Sequence, residues 1–270
     1  MATFFGEVRF ASSRAYDEND DDDDSDTVDE TYSVKVELNK AGEDKVANAE
    51  ALIVSYGTLA TDFCEALVLS EKCIDVGTVV VERQKSTDCE DTGDFHPRHP
   101  VPSRLFLSPE SLLICCISKD VTAIVASRFA QKLLGLVKPS CMVMVLSSHH
   151  YGALKGSYAP QDEDNCVVHS LHSPAFQSSP VYPQLPQPAT LDSLPAAVLT
   201  ESIVSSRPCI VYPVFTETYS TGDLDLVIDA LIKVIQSKPF KKFTATSQDY
   251  SKLHQYRAKS PRYETLDRYM

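Results

Sequence analysis

The stretch "ALIVSYGTLATDFCEALVLS", residues 51–70, decides the fold. It opens on a strand-length apolar run that closes at Gly57. A continuous run of that kind reads as a strand covered on both faces, since a half-solvated strand alternates instead. Past the glycine, Leu59, Phe63 and Leu67 recur at helical spacing, with Thr58 or Thr61 placed to cap the helix. A buried strand passing straight into a helix is the building unit of a layered α/β domain.

The same alternation continues outward. "SLLICCIS" (111–118) and "CMVMVLSS" (141–148) read as further buried strands, and "PCIVYPVFTET" (208–218) as another, its Pro213 marking an edge, a bulge or an end. Between them, "VTAIVASRFAQKLLGLV" (121–137) carries a helical stripe of Ile124, Val125, Phe129, Leu133 and Leu136, with Asp120 as its expected N-cap. "TLDSLPAAVLTESIVSS" (190–206) reads as a helix with Pro195 near its first turn, and "DLDLVIDALIKVIQS" (223–237) as an amphipathic helix. Lys233 and Lys238 suit the negative end of that last helix dipole. Upstream, "YSVKVEL" (32–38) alternates as a half-buried strand, and the β-branched "VGTVVVER" (76–83) reads as a strand. The expected fold is a three-layer α/β/α sandwich around a largely parallel sheet.

Three regions stand apart from this pattern. Residues 1–31 form an N-terminal segment whose "DENDDDDDSDTVDE" run, Asp17 to Glu30, holds ten acidic residues and no basic one, so it is expected to be disordered and solubilising. Residues 32–238 make one α/β domain, interrupted by loops at 84–104 and at 158–188, the second punctuated by Pro174, Pro180, Pro183, Pro186 and Pro188. Residues 239–270 are a polar, basic tail.

Composition narrows the function. The formal net charge is −13, and −3 once the acidic run is set aside. An acidic body without a basic stripe repels phosphate backbones, so no nucleic-acid partner is expected. No apolar run approaches the roughly 20 residues a membrane-spanning helix needs, and no signal peptide is read at the start. Eight cysteines are present, but Cys64, Cys115, Cys116, Cys141 and Cys209 lie in apolar runs and no C-x-x-C occurs, which fits reduced thiols and a cytoplasmic setting.

Catalytic signals are sparse. Neither a P-loop, a dinucleotide fingerprint nor a G-x-S-x-G elbow occurs, and no cofactor is expected. The best candidate is "SSHHYG", where Ser147, Ser148, His149 and His150 follow a buried strand, at the strand end where α/β enzymes place ligands. Adjacent histidines point different ways and make a poor metal site, so a plain loop is the expected reading. His96, His99, His169 and His172 fall in proline-rich loops and are expected to be solvated.

Three stretches resemble the proteasome assembly chaperone family: "MATFFGEV" (Met1 to Val8) followed by an acidic run, "LDSLPAAVLTESIV" (Leu191 to Val204), and the terminal "RYM". The resemblance implies a non-enzymatic protein with a sandwich fold similar to phosphorylase/hydrolase-like enzymes but without their function. It implies a heterodimer with a related protein, proteasome assembly chaperone 2. The pair would promote formation of the seven-membered α-subunit ring of the 20S proteasome and suppress off-pathway α-subunit association. It also implies a cytoplasmic protein with an association with the endoplasmic reticulum. The family's C-terminal motif is hydrophobic–Tyr–any residue, which assigns α-ring binding to Arg268, Tyr269 and Met270; Arg268 departs from the hydrophobic first position. Tyr269 would enter an apolar pocket, and the Met270 carboxylate would pair with a basic residue at its floor. Two alternatives remain at this point: a hydrolase- or phosphorylase-like enzyme with a site near His149, and an acidic binder of basic proteins.

Overall fold

The computed structural model describes residues 31–40, 42–84, 101–118, 121–154, 166–216, 221–238 and 240–242. Its centre is four parallel strands, β2 (Ala51–Tyr56), β5 (Leu112–Cys116), β6 (Met142–His150) and β9 (Cys209–Thr216). They lie side by side in the order β5-β2-β6-β9. The expected parallel sheet is this centre. Both flanks are antiparallel: β1 (Thr31–Leu38), β3 (Ile74–Gln84) and β4 (Ser103–Leu107) extend it beyond β5, while β7 (Cys166–Val168) and β8 (Leu171–His172) both pair with β9.

Side-chain alternation along the buried strands builds the two outer layers. On one face, Ala51, Ile53, Ile114, Met144, Leu146, Ile210 and Tyr212 meet α2 (Thr58–Phe63), the turn after it, and α5 (Thr221–Ile235). On the other face, Leu52, Val54, Leu113, Val143, Val145 and Val211 meet α1 (Glu43–Ala47), α3 (Ala123–Leu134) and α4 (Ser193–Val204). A run apolar at every position thus supplies two cores at once, which completes the three-layer sandwich.

Several local expectations change. The helix after Gly57 is α-helical only to Phe63 and continues as a π turn over Cys64–Val68, where the Leu69 amide donates to Cys64 O at 2.8 Å. Neither Thr58 nor Thr61 caps it: Gly57 holds the N-cap position, and Thr61 is buried, accepting from Ser55 Oγ at 3.3 Å. In α3, Ile124 is 74% exposed; the buried stripe is Val125, Ala126, Phe129, Ala130, Leu133 and Leu134, one step round the helix. Asp120 lies outside the described residues, and Thr122 occupies the N-cap position of α3. Residues 103 and 104 belong to β4 rather than to a loop. The proline-rich stretch is likewise not all surface loop: β7 and β8 extend the sheet, and Ser173, Phe176 and Leu185 are buried.

Pro213 sits inside β9 between the segments that pair with β7 and with β8. Its carbonyl accepts from the His169 amide at 3.1 Å, so the side of the strand where proline lacks a donor faces the break between those two short strands. The fold therefore admits a proline in a strand that is paired along both sides.

Candidate functional site

The helix after β2 runs to one face of the sheet, whereas those after β5 and β6 run to the other. Carboxyl ends of adjacent strands with diverging connections form the crevice where open α/β sheets bind ligands. Gly57 lies there at φ 84°. A Cβ on it would stand 2.6 Å from Ser148 O and 2.5 Å from Ser148 Oγ, so only glycine admits this approach of β2 to β6. The neighbouring strand ends contribute Ser55, Ser147 and Ser148, and α2 contributes Thr61 and Asp62, all buried.

The histidine pair belongs to this end, but both residues are inside β6 rather than in a loop after it. Consecutive strand residues face opposite layers. Ser147 and His149 share one face, where His149 Nε2 and Ser147 Oγ are 3.0 Å apart. The His149 ring lies 5.5 Å from the Phe215 ring and 6.2 Å from the Tyr56 ring, centroid to centroid. Burial pushes the His149 pKa down, with Asp192 at the start of α4 pulling the other way. His150 points to the opposite side, where its Nδ1 accepts from the Gly152 amide at 3.0 Å.

A serine within hydrogen-bonding distance of a neutral imidazole has the outline of a nucleophile and its base. The surroundings do not serve that chemistry. Ser147 has no exposed surface and sits mid-sheet, opposite Tyr56 on β2 and Pro213 on β9. A carbonyl carbon cannot approach its fully buried Oγ within near-attack range without displacing the residues that cover that face of the sheet. The arrangement instead seats a half-buried imidazole between two aromatic rings and gives one of its nitrogens a hydrogen-bond partner.

The other histidines divide. His96 and His99 lie outside the described residues. His172 is exposed, as expected, with its ring 6.0 Å from that of Phe176. His169 is buried against Phe215, contrary to the solvated-loop expectation, because the β7–β8 segment folds onto β9 and carries it inward. Burial lowers its pKa as well. Among the described residues, no three His, Cys, Asp or Glu side chains converge as a metal-ligand group. The thiols of Cys64 and Cys115 are pushed well up by burial, and that of Cys209 to about 12. Such thiols behave as apolar filling rather than nucleophiles.

A second concavity, about 490 Å³ in volume, opens at the opposite end of the parallel strands. Lys45 and Asp44 of α1, Lys72, and the apolar Ile74 and Leu107 line it. No feature of the sequence pointed to it, since its walls come from three separate segments, 44–48, 72–74 and 107–111. The tail residues Arg268, Tyr269 and Met270, and the acidic run, lie outside the described residues.

Comparison with known proteins places these features in context. A family model described as Proteasome assembly chaperone 4 matches residues 1–260. The Proteasome assembly chaperone 1 of Xenopus laevis is 29% identical over 270 residues, covering 92% of each chain. That of Xenopus tropicalis is 25% identical over 268 residues, again covering 92% of each. Among solved structures, Pyrococcus furiosus PbaB, an archaeal proteasome activator, matches with a TM-score of 0.52 at 10% identity, covering 88% of this chain and 98% of its own. Pyrococcus furiosus PbaA, an archaeal homolog of proteasome-assembly chaperone, matches with a TM-score of 0.50 at 13% identity, covering 88% and 95%. At such identities these two structures speak for the fold alone.

Proposed function

The chain belongs to this proteasome assembly chaperone family, and from that membership we propose that it is a non-enzymatic chaperone promoting formation of the 20S proteasome α-ring. In this reading it works as a heterodimer with proteasome assembly chaperone 2, in the cytoplasm, and holds α subunits away from off-pathway association. The observation that carries the proposal is the extent of the family match: residues 1–260 take in both helical layers and every strand of the sheet. Ser147, fully buried beside the half-buried His149, agrees with a protein whose work is binding. No helix among the described residues is long and apolar enough to cross a membrane.

Arg268, Tyr269 and Met270 are assigned the α-ring contact. Tyr269 supplies an amphipathic ring for an apolar pocket, and the Arg268 stem covers apolar surface with its guanidinium in solvent. A short tail binds weakly alone, but tethering raises its effective concentration to roughly millimolar, so a weak contact still counts. Co-expression with proteasome assembly chaperone 2, followed by purification through a tag on this chain, tests the reading. A stoichiometric pair that retains α subunits is expected. Tyr269→Ala should release the α subunits and leave the pair intact. Recovery of the chain without chaperone 2 would overturn the heterodimer.

The 3.0 Å contact between His149 and Ser147 is the one observation favouring a hydrolase-like reading. Under the chaperone proposal, His149→Ala leaves α-ring assembly within a few-fold of the parent. A hundredfold loss with the fold intact would restore the enzyme reading, because removing an acid–base group costs about that factor.

A further inference from the structure

Among the described residues, strand β1 ends the sheet on the side away from β9. The Asn39 amide donates to Val76 O at 2.8 Å, and the antiparallel register with β3 continues without a break from Leu38↔Gly77 to Thr31↔Gln84. Backbone groups alternate in such a ladder, so Ser33, Lys35 and Glu37 bond toward β3. Tyr32, Val34, Val36 and Leu38 turn their N–H and C=O groups outward. The bond from Arg128 Nη1 to Tyr32 O, 2.6 Å long, agrees with that phase and occupies only the start of the row. A run of outward backbone groups on an edge strand without proline or glycine is a template for another strand.

We propose that β1 pairs antiparallel with β1 of a second copy of this chain, about a two-fold axis through Val36, joining the two sheets edge to edge. Charge selects both the occupant and the register. With the axis at Val36, Val34 faces Leu38 of the other copy, and Val36 faces its counterpart. All of these are outward-bonding positions, so their N–H and C=O groups pair with one another. Lys35 then stands directly opposite Glu37 of the other copy, twice, at the non-hydrogen-bonded positions where side chains come closest. Moving the axis to residue 35 sets Lys35 against Lys35, and moving it to residue 37 sets Glu37 against Glu37. Like charges in that position are destabilising, so the sequence selects against both neighbouring registers. The pairing keeps Val34, Val36 and Leu38, which pack against the core layer containing α3, in one continuous apolar row. An interface of this kind is isologous and closes at two copies. The inference rests on geometry and charge alone and stands apart from the chaperone reading.

Sedimentation of the full chain expressed alone is the first test, with a dimer expected. Val36→Pro removes an outward N–H without touching the ladder to β3, so it should yield a monomer with unchanged circular dichroism. Single Lys35→Cys and Glu37→Cys variants supply the register test. Mixed and mildly oxidised, they should form a disulfide-linked pair, whereas each alone should not, because residue 35 faces 37 and not itself. Glu37→Lys should weaken self-association about tenfold or more. A parent chain that is monomeric at every concentration overturns the proposal, as does a Val36→Pro variant that remains dimeric. Cross-linking in the mixture no greater than in the single variants overturns the register.

Discussion

Arg207 shows how one side chain holds a layer in place. Only 5% exposed, it donates through Nη1 to Lys138 O at 2.7 Å and through Nη2 to Leu134 O at 3.1 Å and Val137 O at 3.3 Å. These carbonyls end α3 and the turn after it, where helical partners run out and the dipole is negative. Arg207→Ala strips three carbonyls of a charged donor and should cost ~3 kcal/mol, measured by denaturant unfolding. Arg207→Lys lacks the planar fork and should recover only part of that. His149 and His169 make stability depend on pH. Burial holds both folded-state pKa values below the unfolded value. Their neutral forms therefore favour the fold at pH above about 6.5, and this contribution fades as pH falls through the lowered folded pKa. Melting temperature should drop between neutral and mildly acidic pH, and His149→Gln should flatten that drop.

At the scale of elements, the ends of helices carry a further prediction. Helix α4 closes with the Arg207 amide donating to Ser202 O at 2.8 Å and the Ser206 amide to Ile203 O at 3.1 Å, the paired bonds of a Schellman turn. The position between them, Ser206, is left-handed at φ 53°, where glycine is at ease and a residue with Cβ is not. Ser206→Gly should stabilise the protein by about 0.5–1 kcal/mol, read as a higher unfolding midpoint. The same scale explains what could be read beforehand. β2, β5, β6 and β9 announce themselves because burial on both faces forces unbroken apolar runs, and Val227, Ile228, Leu231 and Ile235 betray α5 by their spacing. β7 and β8, three and two residues long, have no period to detect; they exist because β9 offers an edge. β4 begins one residue after Pro102, which disguised its start, and α1 is too short for helical periodicity. The strand-end site was legible as a place but not as an arrangement. That Ser147 faces His149 follows from strand alternation once β6 is known to reach His150, whereas the Phe215 and Tyr56 walls come from other strands.

For the whole molecule, the acidic run tests where stability resides. The two cores are built within residues 34–240, whereas Asp17 to Glu30 offer one apolar side chain, Val28, and strong self-repulsion. Deleting Asp17 to Glu30 should leave the melting temperature unchanged or slightly raised; a fall of several degrees would mean that the run contributes contacts to the fold. The central claim concerns what the intact molecule does for other chains, and one measurement reaches it directly. Proteasome α subunits are co-expressed with and without this chain and proteasome assembly chaperone 2, and the assemblies are weighed by native mass spectrometry. The account predicts more seven-membered rings and fewer irregular α-subunit species when the pair is present, with the pair found on ring intermediates. An unchanged distribution of α-subunit species, with this chain absent from all of them, would contradict it.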